Sequence, residues 1–243
     1  KKIMKSIIIA AGSGRRIPEF SNTIPKSLIK INNKSLLKRQ IDLMRRYKIK
    51  HISIVKGFKS NKINFKKIKY FYNKNYKTNE QLDSFFSAQK WFKDDLLITF
   101  SDIIYETSII EKIIKSKHDF TIAIQKNWKK KYKNRFDHPM TQADKVFVED
   151  NKVKDIGKRL SEKKTNGEFL GIFKVSKDIC NTLIKEYNSL KKTKKTEKLQ
   201  IHDFFRYLIK KNIDIKPTYI NGKYMEIDTY NDFIIAKEMF NEK

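Results

Sequence analysis

Short apolar runs rich in β-branched residues recur along this chain, and they alternate with stretches whose apolar positions repeat at helical spacing. Residues 5–10 form the first such run and pass directly into a small-residue turn over 11–16. Residues 35–47 carry Leu36, Leu37, Ile41, Leu43 and Met44 at helical spacing, after the polar Asn33. The pattern then predicts strands over 51–55, ending near Gly57, and over 68–72. A helix follows over 79–92, with Leu82, Phe85, Phe86 and Ala88 facing inward. A strand over 95–100 stops at Ser101-Asp102, a helix covers 109–114 and a strand 120–125. Later, 145–149 and 152–156 read as a hairpin joined through Asp150-Asn151, and 167–175 as a strand. Helices over 178–190 and 201–211, a strand over 213–220 and a helix over 230–240 complete the chain.

This alternation predicts an α/β protein with a Rossmann-like, doubly wound, mostly parallel sheet. Such sheets bind ligands beyond the C-terminal ends of their strands. The stretch 127–144 is polar, basic and aromatic, and too long for a tight connection. With the hairpin after it, 127–170 is expected to be a small β-hairpin and helical excursion covering the site, within one domain spanning 1–243.

Composition agrees with a folded domain: of 243 residues, 39% are hydrophobic and 12% aromatic, enough to bury a full core. No apolar stretch approaches the roughly 20 residues that span a bilayer. The single cysteine, Cys180, has no internal disulfide partner, and the start carries no secretory pattern, so a cytoplasmic protein is expected. The formal net charge is +28. Lysine is scattered among abundant Ile and Asn and is not gathered into a stripe, which reads as the drift of an AT-rich genome. A nucleic-acid partner is therefore not expected, although the basic field attracts anionic substrates.

Candidate chemistry begins at Ala10-Ala11-Gly12-Ser13-Gly14-Arg15-Arg16, followed by Pro25-Lys26. A strand running into small residues lets backbone N–H groups approach a phosphate unobstructed. Arg16 and Lys26 can add full positive charges against a triphosphate. Ile17 stands where a dinucleotide fingerprint needs its third glycine, and there is no Gly-Lys-Ser/Thr, so neither that motif nor a Walker loop is present. Carboxylates come from Asp102, after the 95–100 strand, and from Glu226-Ile227-Asp228. In an extended segment Glu226 and Asp228 point to the same side. Magnesium takes such oxygen ligands together with substrate phosphates.

These segments resemble the signature of the nucleotidyltransferase family that includes sugar-1-phosphate and phosphocholine transferases, Ala-Ala-Gly-x-Gly-Ser/Thr-Arg followed by Pro-Lys. Arg15 replaces a small hydroxyl residue, while Arg16 keeps the motif arginine. Ser101-Asp102 is similar to the family's Gly-Asp metal motif, and Glu226-Ile227-Asp228-Thr229 to its C-terminal Glu-Ile-Asp-Thr motif. The resemblance implies a magnesium-dependent transferase in which Lys26, Arg16, Asp102 and Asp228 are catalytic, and Asp102 and Asp228 hold Mg2+. Ala10 through Arg16, with Ser101, would hold the nucleotide.

Thr78-Asn79 and Ser84 resemble the base-binding segment of phosphocholine and phosphonate cytidylyltransferases, which implies CTP, with Asn79 and Ser84 at the pyrimidine edge. The competing reading has Thr78 or Asn79 capping the helix that follows. The train of motifs from Asn127-Trp128 to Gly171 is similar to the phosphonate branch that acts with phosphoenolpyruvate mutase. It implies an acceptor such as 2-aminoethylphosphonate, with Arg135, Lys145 and Lys158 on the dianion. Glu168 would hold an ammonium, Trp128 and Tyr132 would form a cation–π wall, and Glu226 would also face the acceptor.

The expected reaction moves CMP from CTP to a small phosphonate, releasing pyrophosphate and preparing the phosphonate for attachment to lipid or glycan. Phosphocholine and sugar-1-phosphate are the alternative acceptors. A basic nucleic-acid-binding protein with a decayed motif is the alternative of a different class. An acceptor oxygen that is already anionic needs no strong general base, in keeping with the absence of a Ser–His or His–Asp arrangement in the sequence.

Overall fold

The computed structural model describes residues 3–12, 17–21, 23–193 and 196–241. Continuous runs of Ile, Leu, Val and Phe become strands buried on both faces, as a sheet covered by helices requires. In order, the elements are β1 (Met4–Ala10), α1 (Pro18–Ser21), β2 (Lys30–Ile31), β3 (Lys34–Ser35), α2 (Leu36–Arg46), β4 (His51–Lys56) and β5 (Lys69–Tyr72). Next come α3 (Gln81–Phe86), β6 (Asp95–Phe100), β7 (Ile103–Tyr105), α4 (Thr107–Lys115), β8 (Phe120–Gln125), β9 (Lys145–Glu149) and β10 (Lys152–Ile156). The chain continues through β11 (Gly167–Val175), α5 (Lys177–Thr193), α6 (Ile201–Lys210), β12 (Lys216–Tyr219), β13 (Tyr224–Glu226) and α7 (Tyr230–Met239).

Nine strands form the central sheet, in the order β10-β9-β11-β6-β1-β4-β5, with β8 paired to β11 and β12 to β8. β1, β4, β5 and β6 run parallel. β11 runs against β6, β8 and β9, so the last two run with β1 again. β12 is parallel to β8, which leaves β10 and β11 as the reversed strands of a mostly parallel, Rossmann-like sheet. β11 is buried along its whole length and serves β6 with one half and β9 with the other. The switch falls at Gly171, whose φ is +69°; a Cβ there would stand 2.6 Å from the Phe100 ring.

Phe173 is fully buried at the centre of an aromatic cluster, with the rings of Phe205 at 5.1 Å and Phe85 at 5.5 Å in edge-on contact. A separate apolar cluster of Ile17, Ile29, Ile31, Leu36, Ile104, Met225, Ile227 and Ala236 supports the loops that carry Lys26 and Asp228. No helix of the described residues is long and apolar enough to cross a membrane.

Three boundaries differ from the sequence pattern. The helix expected over 79–92 is only α3 plus a 3-10 turn, Gln89–Trp91. Ser84 and Ser87 donate to the carbonyls of Glu80 and Asp83, an alternative bonding pattern that weakens the helix at its end. The last sheet strand begins at Lys216 and contains Pro217, which it tolerates because β12 pairs only with β8. The two-stranded ribbon of β7 and β13 is too short to leave a periodic signal, yet it brings Glu226 opposite Ile103, beside Asp102. Helix α2 is capped by Ser35, which accepts from the Lys38 N–H at 3.2 Å.

Replacing Phe173 by Ala should lower the unfolding free energy by about 3–5 kcal/mol, because rigid rings on every side cannot close the void. A urea titration reads this directly. A loss below about 1 kcal/mol would mean that the aromatic cluster is not the keystone of the core.

Candidate active site

The sheet topology delivers three backbone ends to one place. β1 ends at Ala10, and Ala11 and Gly12 continue into a cleft of about 300 Å3. β6 ends beside it and presents Ser101 and Asp102, while β13 leads to Asp228. Lys26 heads a one-turn 3-10 helix held by Leu28 N–H to Pro25 O at 2.8 Å and Ile29 N–H to Lys26 O at 3.0 Å. Beneath it, Ile29 and Ile31 are fully buried, so the lysine is aimed by a rigid base. The opposite lining includes Tyr76, Asn79, Gln81 and Ser84. Gly57 allows this wall to close: a Cβ there would meet Ala11 O at 2.6 Å and Tyr76 Cβ at 2.7 Å.

Charge defines the cleft. Lys26 Nζ lies 2.8 Å from Asp102 Oδ2 and also pairs with Asp228. Burial alone would lower the lysine pKa, but Asp102, Asp228 and Glu226 outweigh it and hold it above its ordinary value. Glu226 is pushed up to about 8 by burial and by the neighbouring Asp228 and Asp102 carboxylates. Oxygens of Glu226 and Asp228 and a ring nitrogen of His138 lie within 4.8 Å of one another. One lysine among three carboxylates leaves excess negative charge in a confined space. Glu226 and Asp228, with Asp102 across Lys26, offer the oxygen ligands that a hard divalent cation such as Mg2+ prefers, and His138 adds a ring nitrogen.

Asn79 and Ser84 are tied together through Asn73, whose Nδ2 donates to Asn79 Oδ1 at 2.7 Å and to Ser84 Oγ at 2.9 Å. The residue at the N-cap of α3 is Glu80, so neither Thr78 nor Asn79 caps that helix. Gln81 Oε1 and Ser27 Oγ, both lining the cleft, are buried without a hydrogen-bond partner among the described residues. Gln81 carried no sequence signal, nor did Gly57 as a wall-forming residue. Ser13, Gly14, Arg15 and Arg16 lie outside the described residues.

The residues expected at the acceptor separate into different environments. Trp128 is 1% exposed and packs edge-on against Tyr132 at 5.8 Å, with Ala143 in the same cluster. It anchors the excursion and does not line the cleft, a correction to its reading as a cation–π wall. Arg135 does not face a dianion as expected: its side chain is wholly buried, with Nε and Nη2 engaged inside the protein and Nη1 buried without a partner among the described residues. Its Nε donates to Asp232 Oδ1 at 2.6 Å and its Nη2 to Glu226 O at 3.0 Å. Burial would raise the Asp232 pKa, but hydrogen bonds from His138 and Arg135 hold it well below the usual carboxylate range.

Glu168, read as an ammonium partner, is engaged by Tyr132 OH and Lys131. Lys145 is buried on β9, and that burial lowers its pKa. Lys158 lines a separate basic cleft with Arg159, Lys198 and Arg206, and so does not join the carboxylates. Glu226 does join them. The resemblance pointed to the charged residues of the excursion, but a motif cannot tell a cation facing solvent from one that folds back on a carboxylate.

Proteins of known sequence and structure resemble this chain over part or all of its length. The CTP:phosphoglutamine cytidylyltransferase of Campylobacter jejuni is 27% identical over 252 residues, covering 97% of this chain and 100% of that protein. The choline-phosphate cytidylyltransferase of Haemophilus influenzae is 31% identical over 123 residues, covering 49% of this chain and 52% of that one. The structure of the inositol-1-phosphate CTP transferase from T. maritima superposes with a TM-score of 0.77 at 18% identity, covering 98% of this chain and 95% of that one. The CTP:phosphocholine cytidylyltransferase from Streptococcus pneumoniae gives 0.76 at 17% identity, covering 98% and 100%. These two structures share the fold. The profile of the MobA-like NTP transferase domain matches residues 6–163, about two thirds of the sequence, and the chain belongs to that nucleotidyltransferase family.

Proposed function

We propose that this protein is a cytidylyltransferase that moves CMP from CTP to a small phosphorylated acceptor or phosphonate, releasing pyrophosphate. The observation that carries the reading is Lys26 held between Asp102 and Asp228 at the edge of the cleft that Ala11, Gly12, Asn79 and Ser84 also line. The full-length likeness to a CTP-dependent relative supports the choice of nucleotide. It also widens the acceptor class beyond phosphonates such as 2-aminoethylphosphonate, which the motifs of the excursion favour. Phosphocholine is the second reading, on the partial likeness to a choline-phosphate enzyme. Residues 127–170 brace the Glu226–Asp228 segment through Arg135, within a single domain spanning 1–243.

An acceptor oxygen, anionic near neutral pH, attacks the α-phosphorus in line. The new P–O bond forms as the α–β phosphoanhydride bond breaks, and the electron pair leaves with pyrophosphate. No proton has to be removed from the nucleophile, so a general base is unnecessary. The obstacle is mutual repulsion of two anions, and the catalytic task is to bring them together in a neutralising field. Lys26, with its raised pKa, stays protonated and acts as a fixed cation beside the reacting phosphoryl group. Asp102, Asp228 and Glu226 would hold a divalent cation, whose chemistry when bound is Lewis-acid neutralisation of phosphoryl charge. Asn79 and Ser84 present amide and hydroxyl groups to a pyrimidine edge, kept in register by Asn73.

Pyrophosphate release should be measured with each NTP against 2-aminoethylphosphonate, its hydroxy analogue, phosphocholine and glucose-1-phosphate. CTP with a small phosphorylated or phosphonate acceptor is the expected active pair, and inactivity of every pair would overturn the reading. With the active pair, Lys26→Ala and Asp102→Asn should each lower kcat by about 100-fold or more while melting stays near wild type. Near-normal turnover in either would remove that residue from the chemistry. Asn79→Ala and Ser84→Ala should mainly raise the CTP KM and shrink the preference for CTP over UTP about tenfold, each by removing a polar partner of the base. An unchanged preference would locate base recognition elsewhere.

A further inference from the structure

Arg135 and His138 arrive from the excursion, yet their polar atoms turn towards the backbone that carries Glu226 and Asp228. Asp232, in the first turn of α7, is the junction. Its Oδ2 accepts from the Asp228 N–H and the Thr229 N–H, each at 3.0 Å. Its Oδ1 accepts from Arg135 Nε at 2.6 Å, and the Arg135 and Asp232 side chains are both 0% exposed. Arg135 Nη2 also donates to Glu226 O at 3.0 Å and lies 2.7 Å from His138 Nδ1. His138 Nδ1 in turn stands 3.1 Å from Asp232 Oδ2 and 3.9 Å from Asp228 Oδ2.

An N-terminal capping box needs only the Thr229 bond and its return from Asp232 to Thr229, and both are present. The additional bonds to Asp228 N–H, Glu226 O and Arg135 go beyond what capping requires. They fix the backbone on which two of the three site carboxylates hang.

We infer that Arg135, His138 and Asp232 are positioning residues that hold Asp228 and Glu226 in the geometry that receives a divalent cation, and that Arg135 does not bind the acceptor. This inference rests on the transferase reading for its kinetic consequences, but its structural claim is independent of the acceptor. Residues behind a cation site that orient its ligands typically change affinity or activity 10–100-fold when removed. The arrangement also links the excursion to the carboxylates: the short 3-10 helix Trp128–Tyr132 is anchored at Glu168, and Arg135 follows three residues after it.

The test uses the full chain and Mn2+ alone, titrated by the loss of its free electron-spin signal. Arg135→Met leaves Asp232 buried without its cation and risks misfolding. The double variant Arg135→Met/Asp232→Asn removes both charges while an amide oxygen remains to cap α7, and Arg135→Lys keeps the charge. The double variant should weaken Mn2+ binding about tenfold or more, and Arg135→Lys should recover part of it. With an active CTP–acceptor pair, kcat should fall by a similar factor while the acceptor KM stays within about twofold. Unchanged Mn2+ affinity in the folded double variant overturns the inference. So does a raised acceptor KM at constant kcat, which would return Arg135 to the acceptor. Failure of all acceptors in the wild type counts against the transferase reading, and the Mn2+ comparison still judges the clamp.

Discussion

Excess negative charge, confined and partly buried, is the constraint on which the rest of this structure depends. Asp102 comes from the middle of the sequence and Glu226 and Asp228 from near its end, and Lys26 is the cation placed among them. Burial, and after it the repulsion of the neighbouring Asp228 and Asp102 carboxylates, pushes Glu226 up to about 8. A fold accepts such an arrangement only if surrounding interactions hold it in place. Here a second apolar cluster supports the Lys26 turn and the Asp228 segment, and the β7–β13 ribbon fixes the distance between Asp102 and Glu226.

The same constraint gives the site its chemistry. A cleft that joins a small-residue strand end to a cation and three carboxylates can take a polyanion and a hard cation together, and little else. The overall charge of +28 favours the approach of anions, whereas the charge gathered around Lys26 is locally negative. The two fields have opposite sign and act at different ranges.

Much of the fold was legible because buried strands write continuous apolar runs. The hairpin 145–156 and the strand 167–175 were placed to the residue, helped by Asp150-Asn151, both of which adopt positive φ at the turn. The strand ribbon that aligns the carboxylates was not legible, since three residues cannot show a period. At the site, Lys26, Asp102, Glu226 and Asp228 were found from motifs, and the structure brings them together. Trp128 and Arg135 were found as residues but given the wrong surroundings. A tryptophan at a wall and one in a core leave the same letter, and the partner of Arg135, Asp232, lies 97 positions away. Nothing in the motifs singles out Asp232. Its role as the junction between the excursion and the carboxylates exists only in three dimensions.

As a transferase, this protein joins two phosphorus groups in the cleft and does not merely bind or hydrolyse a nucleotide. Phosphorus NMR of the protein with CTP, Mg2+ and the candidate acceptors tests it most directly. Transfer predicts that the acceptor resonance and the CTP resonances fall together, while two coupled resonances of the new P–O–P product and the pyrophosphate signal rise in step. Consumption of CTP to CMP without loss of any acceptor, or binding of CTP with no new resonance from any pair, would contradict it.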